Sequence, residues 1–179
     1  MEFDHIHFYV QDAERSRNWF INYLGFQSIG SLNQQHTQTE IVNQGSVYFL
    51  LSSPLTHHSP VYQYLQAHPS GVADVAFQVR NLESWVKPLI EKKVTIISPL
   101  QAYQYGGDTL KWLTIQGWGE LHHTLIRGIL VNGWCEHLSK NQHSLAYIKV
   151  IISLVDISPL SIQRLMLSHG HTIFFPTRG

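Results

Sequence analysis

The sequence has little that would tie it to an oxidising compartment or to a charged partner. It contains one cysteine, Cys135, which excludes an internal disulfide. Charged residues make up 13% of the chain, and 12 acidic residues balance 12 basic ones. We therefore expect neither nucleic acid nor an anionic membrane as a partner.

A secretory signal and a membrane span are also missing from the pattern. The N-terminus, MEFDHIHFYV, has no basic segment followed by a long apolar one. The longest apolar run, VIISLVDISPL, is interrupted by Asp156 and Pro159 and is shorter than the roughly 20 residues of a spanning helix. A cytoplasmic location is the expectation.

What is present divides into two unlike parts. Residues 1–126 carry ten acidic and seven basic residues, whereas residues 127–179 carry two acidic and five basic ones. The runs SLAYIKVIISLV and SPLSIQRLMLSHG could give the second part real structure. Alternatively, this divergent tail is the product of a shifted reading frame. Both interpretations stay open.

The first part contains an internal duplication. The segment FDHIHFYVQDAERSRNWFINYL from Phe3 matches VADVAFQVRNLESWVKPLIEKK from Val72, without gaps, at an offset of 69 residues. Each copy is an alternating apolar strand that leads through Asp12 or Asn81, a helix N-cap type, into an amphipathic helix. The pattern predicts two similar modules, at about residues 1–55 and 70–126, joined by a connector at 56–69.

Each predicted helix is followed by three strand-like runs: FQSIGS, TQTEIVN and SVYFLLSS in the first copy, and KVTIIS, LKWLTIQ and LHHTLI in the second. The glycines of YGGD indicate a hairpin turn, and the connector favours one short helix. This order, βαβββ twice, predicts an α+β fold with a mixed curved sheet and helices on its outer face. Trp19 and Trp85 lie on the two first helices and are expected in the core or between the modules.

Strand alternation separates the two faces of the sheet. Ile6, Phe8 and Val10 should face the helix, which leaves His5, His7 and Tyr9 on the concave face. In the second copy Val75, Phe77 and Val79 should be internal, with Asp74, Ala76 and Gln78 on the concave face. The duplication is expected to place His5 opposite Asp74.

These segments carry a family resemblance. DHIHFYVQDAERSRNWFINYLGF resembles the opening strand and helix of the vicinal oxygen chelate (glyoxalase/bleomycin resistance) superfamily. Together with GSVYFLLSSPL, GVADVAFQVRNLESWV and GELHHTLI, it is similar to the N-terminal half of the 4-hydroxyphenylpyruvate dioxygenase family, over residues 1–126. The resemblance implies paired βαβββ modules that form a cup, and a homodimer is compatible with it.

For the intact enzyme, the resemblance implies iron(II) as cofactor and conversion of a 2-oxoacid substrate, 4-hydroxyphenylpyruvate, to homogentisate. The family's iron is bound by two histidines and a glutamate of a C-terminal domain, and nothing after Arg127 resembles that domain. We therefore expect no catalytic residues in this chain and no activity by itself. One expectation is therefore that this chain binds no metal cofactor.

Two alternatives remain. The resemblance places His5, Asp74 and His123 at positions that bind metal in other superfamily members, and two imidazoles with one carboxylate suit iron(II). The chain would then be a stand-alone metalloenzyme. As a metal-free binding module it would instead use Tyr9 and Gln78 to line a pocket for a small molecule.

The other histidine pairs are weaker candidates for a site. His122 and His123 are adjacent on a strand and point to opposite faces, so at most one can bind a given ion. The sequence THH at 56–58 lies in the connector, where a solvated loop is expected. His169 and His171 could share a strand face, but no carboxylate is near them in sequence.

Overall fold

A computed structural model describes residues 1–105 and 108–128. The expectations about the tail beyond residue 128, including Cys135, His169 and His171, lie outside the described residues.

Helices and strands follow the predicted order βαβββ twice, with a helix between the copies. The elements are β1 (Glu2–Tyr9), α1 (Ala13–Leu24), β2 (Gln27–Asn33), β3 (Thr37–Gln44), β4 (Val47–Pro54), α2 (Pro60–Ala67), β5 (Gly71–Gln78), α3 (Glu83–Glu91), β6 (Ile96–Tyr105), β7 (Asp108–Gln116) and β8 (His122–Arg127). None of the helices in the described part of the chain is long and apolar enough to cross a membrane.

The strands form one sheet that shows the duplication directly. Its order is β2-β3-β4-β1-β5-β8-β7-β6, so each copy contributes half and the two first strands meet in the middle. β1 pairs with β4, and β5 with β8, in parallel, whereas β1 and β5 are antiparallel to each other. The bounds of β5 repeat those of β1 at the predicted offset of 69 residues. Tyr105 pairs with Asp108, which confirms the β6–β7 hairpin.

The two first helices begin as their sequences predict. Asp12 caps α1, because its Oδ1 accepts a hydrogen bond from the backbone N–H of Arg15 at 2.9 Å. In the second copy Asn81 Oδ1 accepts from the N–H of Ser84 at 3.3 Å, although the helix boundary itself falls at Leu82. The α1 helix ends at Gly25, whose φ of 71° is a left-handed conformation that glycine adopts without strain.

Helices α1 and α3 cover the outer face of the sheet, and the hydrophobic core under each helix has a different composition. Under α1, Phe8, Phe20, Phe26 and Phe49 pack together, with ring centroids 4.9–5.9 Å apart. The core under α3 is mainly aliphatic, and its buried members are Val79, Leu82, Leu89, Leu113 and Leu125. These clusters contain Phe8 and Val10 of the first copy and Phe77 and Val79 of the second, as predicted for the helix-facing side.

The tryptophans are not in the core, which was one of the two places predicted for them. Trp19 is 50% exposed and Trp85 37% exposed, so neither belongs to the core. Phe20, the next residue along α1, occupies the core position instead. One step along a helix turns a side chain by about 100°, which is enough to move it out of the buried stripe.

The connector helix α2 lies on the inner face of the first module. Its Tyr64 ring packs edge-on against Tyr9, with centroids 5.2 Å apart. The hydroxyl of Ser59, which caps α2, is 2.7 Å from the hydroxyl of Thr37 on β3. This helix therefore covers the concave face near β1, β3 and β4, while α1 and α3 lie outside.

Candidate functional site

The inner face carries a row of ionisable side chains where the two modules join. His7 on β1 pairs with Asp74 on β5, and Asp74 pairs with His122 on β8. Side chains of directly paired residues lie on one face of a sheet, so all three point into the concave side. His5 is on the same face, two residues along β1.

The pairing corrects the prediction that His5 lies opposite Asp74. Because β1 and β5 are antiparallel, equivalent residues of the two copies meet only at the symmetry axis, which passes through the pair Ile6–Val75. Away from the axis equivalent residues separate, so His5 faces Ala76 and Asp74 faces His7. His5 and Asp74 are diagonal neighbours.

His7 is a neutral, hydrogen-bonded member of the row. Its Nε2 is 2.7 Å from the Ser52 hydroxyl, which lies 2.6 Å from the Thr39 hydroxyl. Burial, and to a smaller extent the nearby His5, lower the pKa of His7 to about 3. The imidazole is therefore uncharged at neutral pH.

His5 is oriented by its sequence neighbour. A register shift between Phe3 and His5 lets Asp4 turn towards it, and Asp4 Oδ1 lies 2.7 Å from His5 Nδ1. Both side chains are buried. When Nδ1–H of His5 donates to Asp4 Oδ1, the lone pair of the ring is on Nε2. The second oxygen of Asp4, Oδ2, has no hydrogen-bond partner among the described residues.

Asp74 is a buried carboxyl with incomplete hydrogen bonding. Its Oδ1 has no partner among the described residues. Burial raises the pKa of Asp74, and the opposing effects of His5, of a hydrogen bond with Thr124, and of His122 and His123 are smaller. The environment therefore favours the neutral acid more than water does.

His123, one of the three predicted metal ligands, does not belong to this row. His123 pairs with Ile115, next to Leu113 and Leu125 of the outer core, and its ring lies 5.7 Å from that of Phe77. A Cβ atom at Gly117 would lie 2.8 Å from His123 Nε2, so the ring occupies space that only a glycine leaves open. The register thus places His123 on the outer face, while His5 and Asp74 are on the inner one.

The predicted set His5, Asp74 and His123 accordingly does not fit an iron(II) site. Over residues 1–105 and 108–128, no three histidine, cysteine, aspartate or glutamate side chains are arranged to hold a metal ion. His122, which sequence reasoning left aside, is the β8 histidine on the inner face. Alternation counted back from Leu125, a core residue, would have identified it.

A cavity lies at one end of the β1–β5 pair, away from this row. Its volume is about 460 Å³, and it is lined by Met1, Glu2, Gln78, Val79, Arg80, Thr109, Arg127 and Gly128. Gln78 pairs with Glu2 at this end, whereas Tyr9 pairs with Gly71 at the other. The expectation that Tyr9 and Gln78 line one pocket was therefore wrong.

Comparison with known proteins places the chain among relatives that are considerably longer. Residues 2–110 match the family model described as the Glyoxalase/Bleomycin resistance protein/Dioxygenase superfamily. The 4-hydroxyphenylpyruvate dioxygenase of Coccidioides posadasii is 24% identical, over 86% of this chain and 44% of its own length. That of Yarrowia lipolytica is 30% identical, over 69% of this chain and 34% of its own length. The chain thus spans less than half of these curated relatives.

Solved structures share the fold. A triple mutant of 4-hydroxymandelate synthase from Streptomyces coelicolor superposes with a TM-score of 0.65 at 20% identity, and covers 73% of this chain and 39% of its own. Methylmalonyl-CoA epimerase from Mycobacterium tuberculosis superposes with a TM-score of 0.57 at 17% identity, over 70% of this chain and 87% of its own. Paired βαβββ modules are common to all three proteins.

Proposed function

Because the chain belongs to the glyoxalase/bleomycin resistance protein/dioxygenase superfamily, we propose that it is the N-terminal-half domain of a 4-hydroxyphenylpyruvate dioxygenase, without activity by itself. The curated relatives named 4-hydroxyphenylpyruvate dioxygenase support this assignment. The intact enzyme would convert 4-hydroxyphenylpyruvate to homogentisate at an iron(II) ion held by another domain.

The observation that carries the proposal is the register of β8. It turns His123 into the outer core and puts His122 on the inner face instead, and the inner-face histidines and Asp74 are not arranged, among the described residues, to hold a metal ion. Burial also raises the pKa of Asp74, which favours the neutral acid over the carboxylate that would bind a cation, and Nε2 of His7 is already bonded to the Ser52 hydroxyl. No step of the dioxygenase reaction is assigned to residues of this chain.

The proposed role of the polar row is structural. Side-chain hydrogen bonds connect His7 to Ser52 and Thr39, and Thr124 to Thr114 at 3.0 Å. These bonds link β1 to β4 and β3 in the first module and β8 to β7 in the second, so they fix how neighbouring strands of each module meet. A buried polar network specifies a single arrangement better than interchangeable apolar contacts do.

Iron loading of the purified protein tests the proposal. The chain is incubated anaerobically with iron(II), excess metal is removed, and bound iron is measured by mass spectrometry for the parent, His5→Ala and His68→Ala. We expect the same substoichiometric iron in all three and no homogentisate from 4-hydroxyphenylpyruvate and dioxygen. His68, at the end of α2, is a control histidine away from the row.

The opposite result would support the stand-alone metalloenzyme. One equivalent of iron that His5→Ala or Asp74→Ala abolishes, and that His68→Ala keeps, would contradict the proposal. Homogentisate formation by the isolated chain would contradict it independently.

A metal-free binding module is the second candidate, and the cavity at Gln78 favours it. Its volume of about 460 Å³ is that of a small-molecule site, and Arg80 and Arg127 in its wall suit an anionic ligand. Calorimetric titration with 4-hydroxyphenylpyruvate should then show binding that Arg80→Ala weakens at least tenfold. Absence of binding to the parent would remove this candidate.

A further inference from the structure

Three histidines from two separate segments meet on the surface at the end of the first module. His36 lies in the turn between β2 and β3, while His57 and His58 lie in the connector before α2. The rings of His36 and His58 have centroids 5.4 Å apart, and those of His57 and His58 are 3.9 Å apart. Sequence spacing predicted only a solvated loop here, because it does not reveal that His36 joins the pair.

The two segments are held together by their backbones. The carbonyl oxygen of His36 accepts from the N–H of Leu55 at 2.7 Å and from that of Thr56 at 3.3 Å. One residue further on, the Thr37 and Ser59 hydroxyls lie 2.7 Å apart and are fully buried. The histidine rings therefore stand on a fixed base, which lowers the entropy lost when both bind one ligand.

Thr56 sets the orientation of the His36 ring. Its Oγ1 lies 2.8 Å from His36 Nδ1 and also accepts from the backbone N–H of His58 at 3.3 Å. When His36 Nδ1–H donates to this hydroxyl, the lone pair of the ring is on the outward Nε2. A hydrogen bond at the far nitrogen is the usual way in which proteins orient a metal-binding imidazole.

We propose that His36 and His58 form a surface site for a divalent transition-metal ion of the Ni²⁺, Cu²⁺ or Zn²⁺ class. Neutral imidazole nitrogens suit these ions, and water completes the coordination. The described part of the chain has no three-residue metal group, so the site uses two protein ligands. His57 packs against His58 and limits its rotation.

Nickel binding to the full chain, measured by isothermal titration calorimetry at pH 7.5, tests the site. We expect His36→Gln and His58→Gln each to lose one equivalent of Ni²⁺ relative to the parent. Gln35→Ala, an exposed change in the same turn, should keep it. Comparing equivalents separates this site from ions bound by histidines elsewhere in the chain.

A matched pair at Thr56 tests the orienting hydroxyl. Thr56→Val should weaken Ni²⁺ binding about tenfold, the lower end of the effect of removing such a partner, whereas Thr56→Ser should retain the affinity. Thermal unfolding of each variant shows whether it is folded. Unchanged Ni²⁺ stoichiometry in folded His36→Gln and His58→Gln would overturn the proposal.

Discussion

In both modules an ion pair connects the first helix to the sheet. The two modules differ in which charge is on the helix and in whether the pair is buried. In the first, Arg17 on α1 binds Glu40 on β3 at 2.7 Å, and the Glu40 side chain is 1% exposed. In the second, the acid is on the helix: Glu83 of α3 binds Lys111 of β7 and, at 3.3 Å, Arg127 of β8, all at the surface. The helix is thus joined to the sheet by a buried ion pair in the first module and by exposed ones in the second.

The inner faces of the two modules also differ, in how their buried polar side chains are hydrogen-bonded. In the first module His7, Ser52 and Thr39 form a continuous chain of hydrogen bonds. In the second module, Asp74 keeps an oxygen without a partner among the described residues. The contrast concerns the hydrogen-bonded chain around His7, because the first module also has a buried oxygen without a partner among the described residues, Asp4 Oδ2. Stability should therefore depend more strongly on polar residues of the first module.

The largest effect is expected from breaking the buried ion pair. Arg17→Met would leave Glu40 buried with only the Ser31 hydroxyl, at 2.6 Å, and the Gln38 amide, at 3.2 Å. We expect a loss of about 3 kcal/mol in the free energy of unfolding, as for a buried charge deprived of its partner. Urea denaturation at pH 7 measures it. A loss no greater than that of Lys111→Met would contradict the comparison.

Acidification should expose the cost of the buried His7. Its pKa falls from an ordinary 6.5 to about 3 in the folded chain, so between these pH values only the unfolded chain takes up the proton. The stability contribution is full above pH 6.5 and is lost as the pH falls towards 3, at about 1.4 kcal/mol per pH unit. We expect the free energy of unfolding, measured by urea denaturation between pH 3 and 6.5, to depend less steeply on pH for His7→Gln than for the parent. The control His68→Gln should show the same pH dependence as the parent.

Asp74 gives a smaller effect of the opposite sign. Its pKa is raised by burial, so above its ordinary value of 3.8 the folded state carries a penalty that the unfolded state lacks. Asp74→Asn keeps the shape without the charge and should stabilise the chain at pH 7 by about 1 kcal/mol. The gain should disappear below pH 3.8. Destabilisation at pH 7 would contradict this prediction, because it would mean that the hydrogen bond with Thr124 outweighs the cost of burial.

The exposed ion pair should give the smallest change in stability. Lys111→Met removes the main contact of Glu83, whose pKa is lowered to about 2 chiefly by the hydrogen bond from Lys111. We expect the pKa of Glu83 to return towards its ordinary value, as followed by carboxyl carbon shifts in NMR, with little change in the midpoint of unfolding. An unfolding midpoint lowered as far as by Arg17→Met would remove the contrast between the modules.

The fold was predictable because its local and repeated signals agree. Apolar alternation, the caps at Asp12 and Asn81 and the offset of 69 residues all indicated βαβββ twice, and the structure confirms this. The pairing of His7 with Asp74 was not predicted, because register depends on the direction in which β1 and β5 run. Likewise His36 meets His58 through pairing of distant segments, which no local pattern encodes.

The site was harder to predict than the fold for a specific physical reason. A family position can be matched from a motif, but strand register decides its face, and a shift of one residue exchanges the faces. His122 and His123 differ by that single step: one is on the inner face with Asp74, the other in the outer core near Phe77.

Within each module the first strand pairs in parallel with the last strand, β1 with β4 and β5 with β8. This pairing determines which strands can assemble first while the chain is being synthesised. The first module can complete its four strands once Pro54 has been synthesised, because β1 closes on β4 within that module. Until β5 follows, the other edge of β1 offers unpaired backbone groups that any extended chain could bind. Synthesis of the connector therefore sets how long this edge stays open, and slow translation there would favour association between nascent chains.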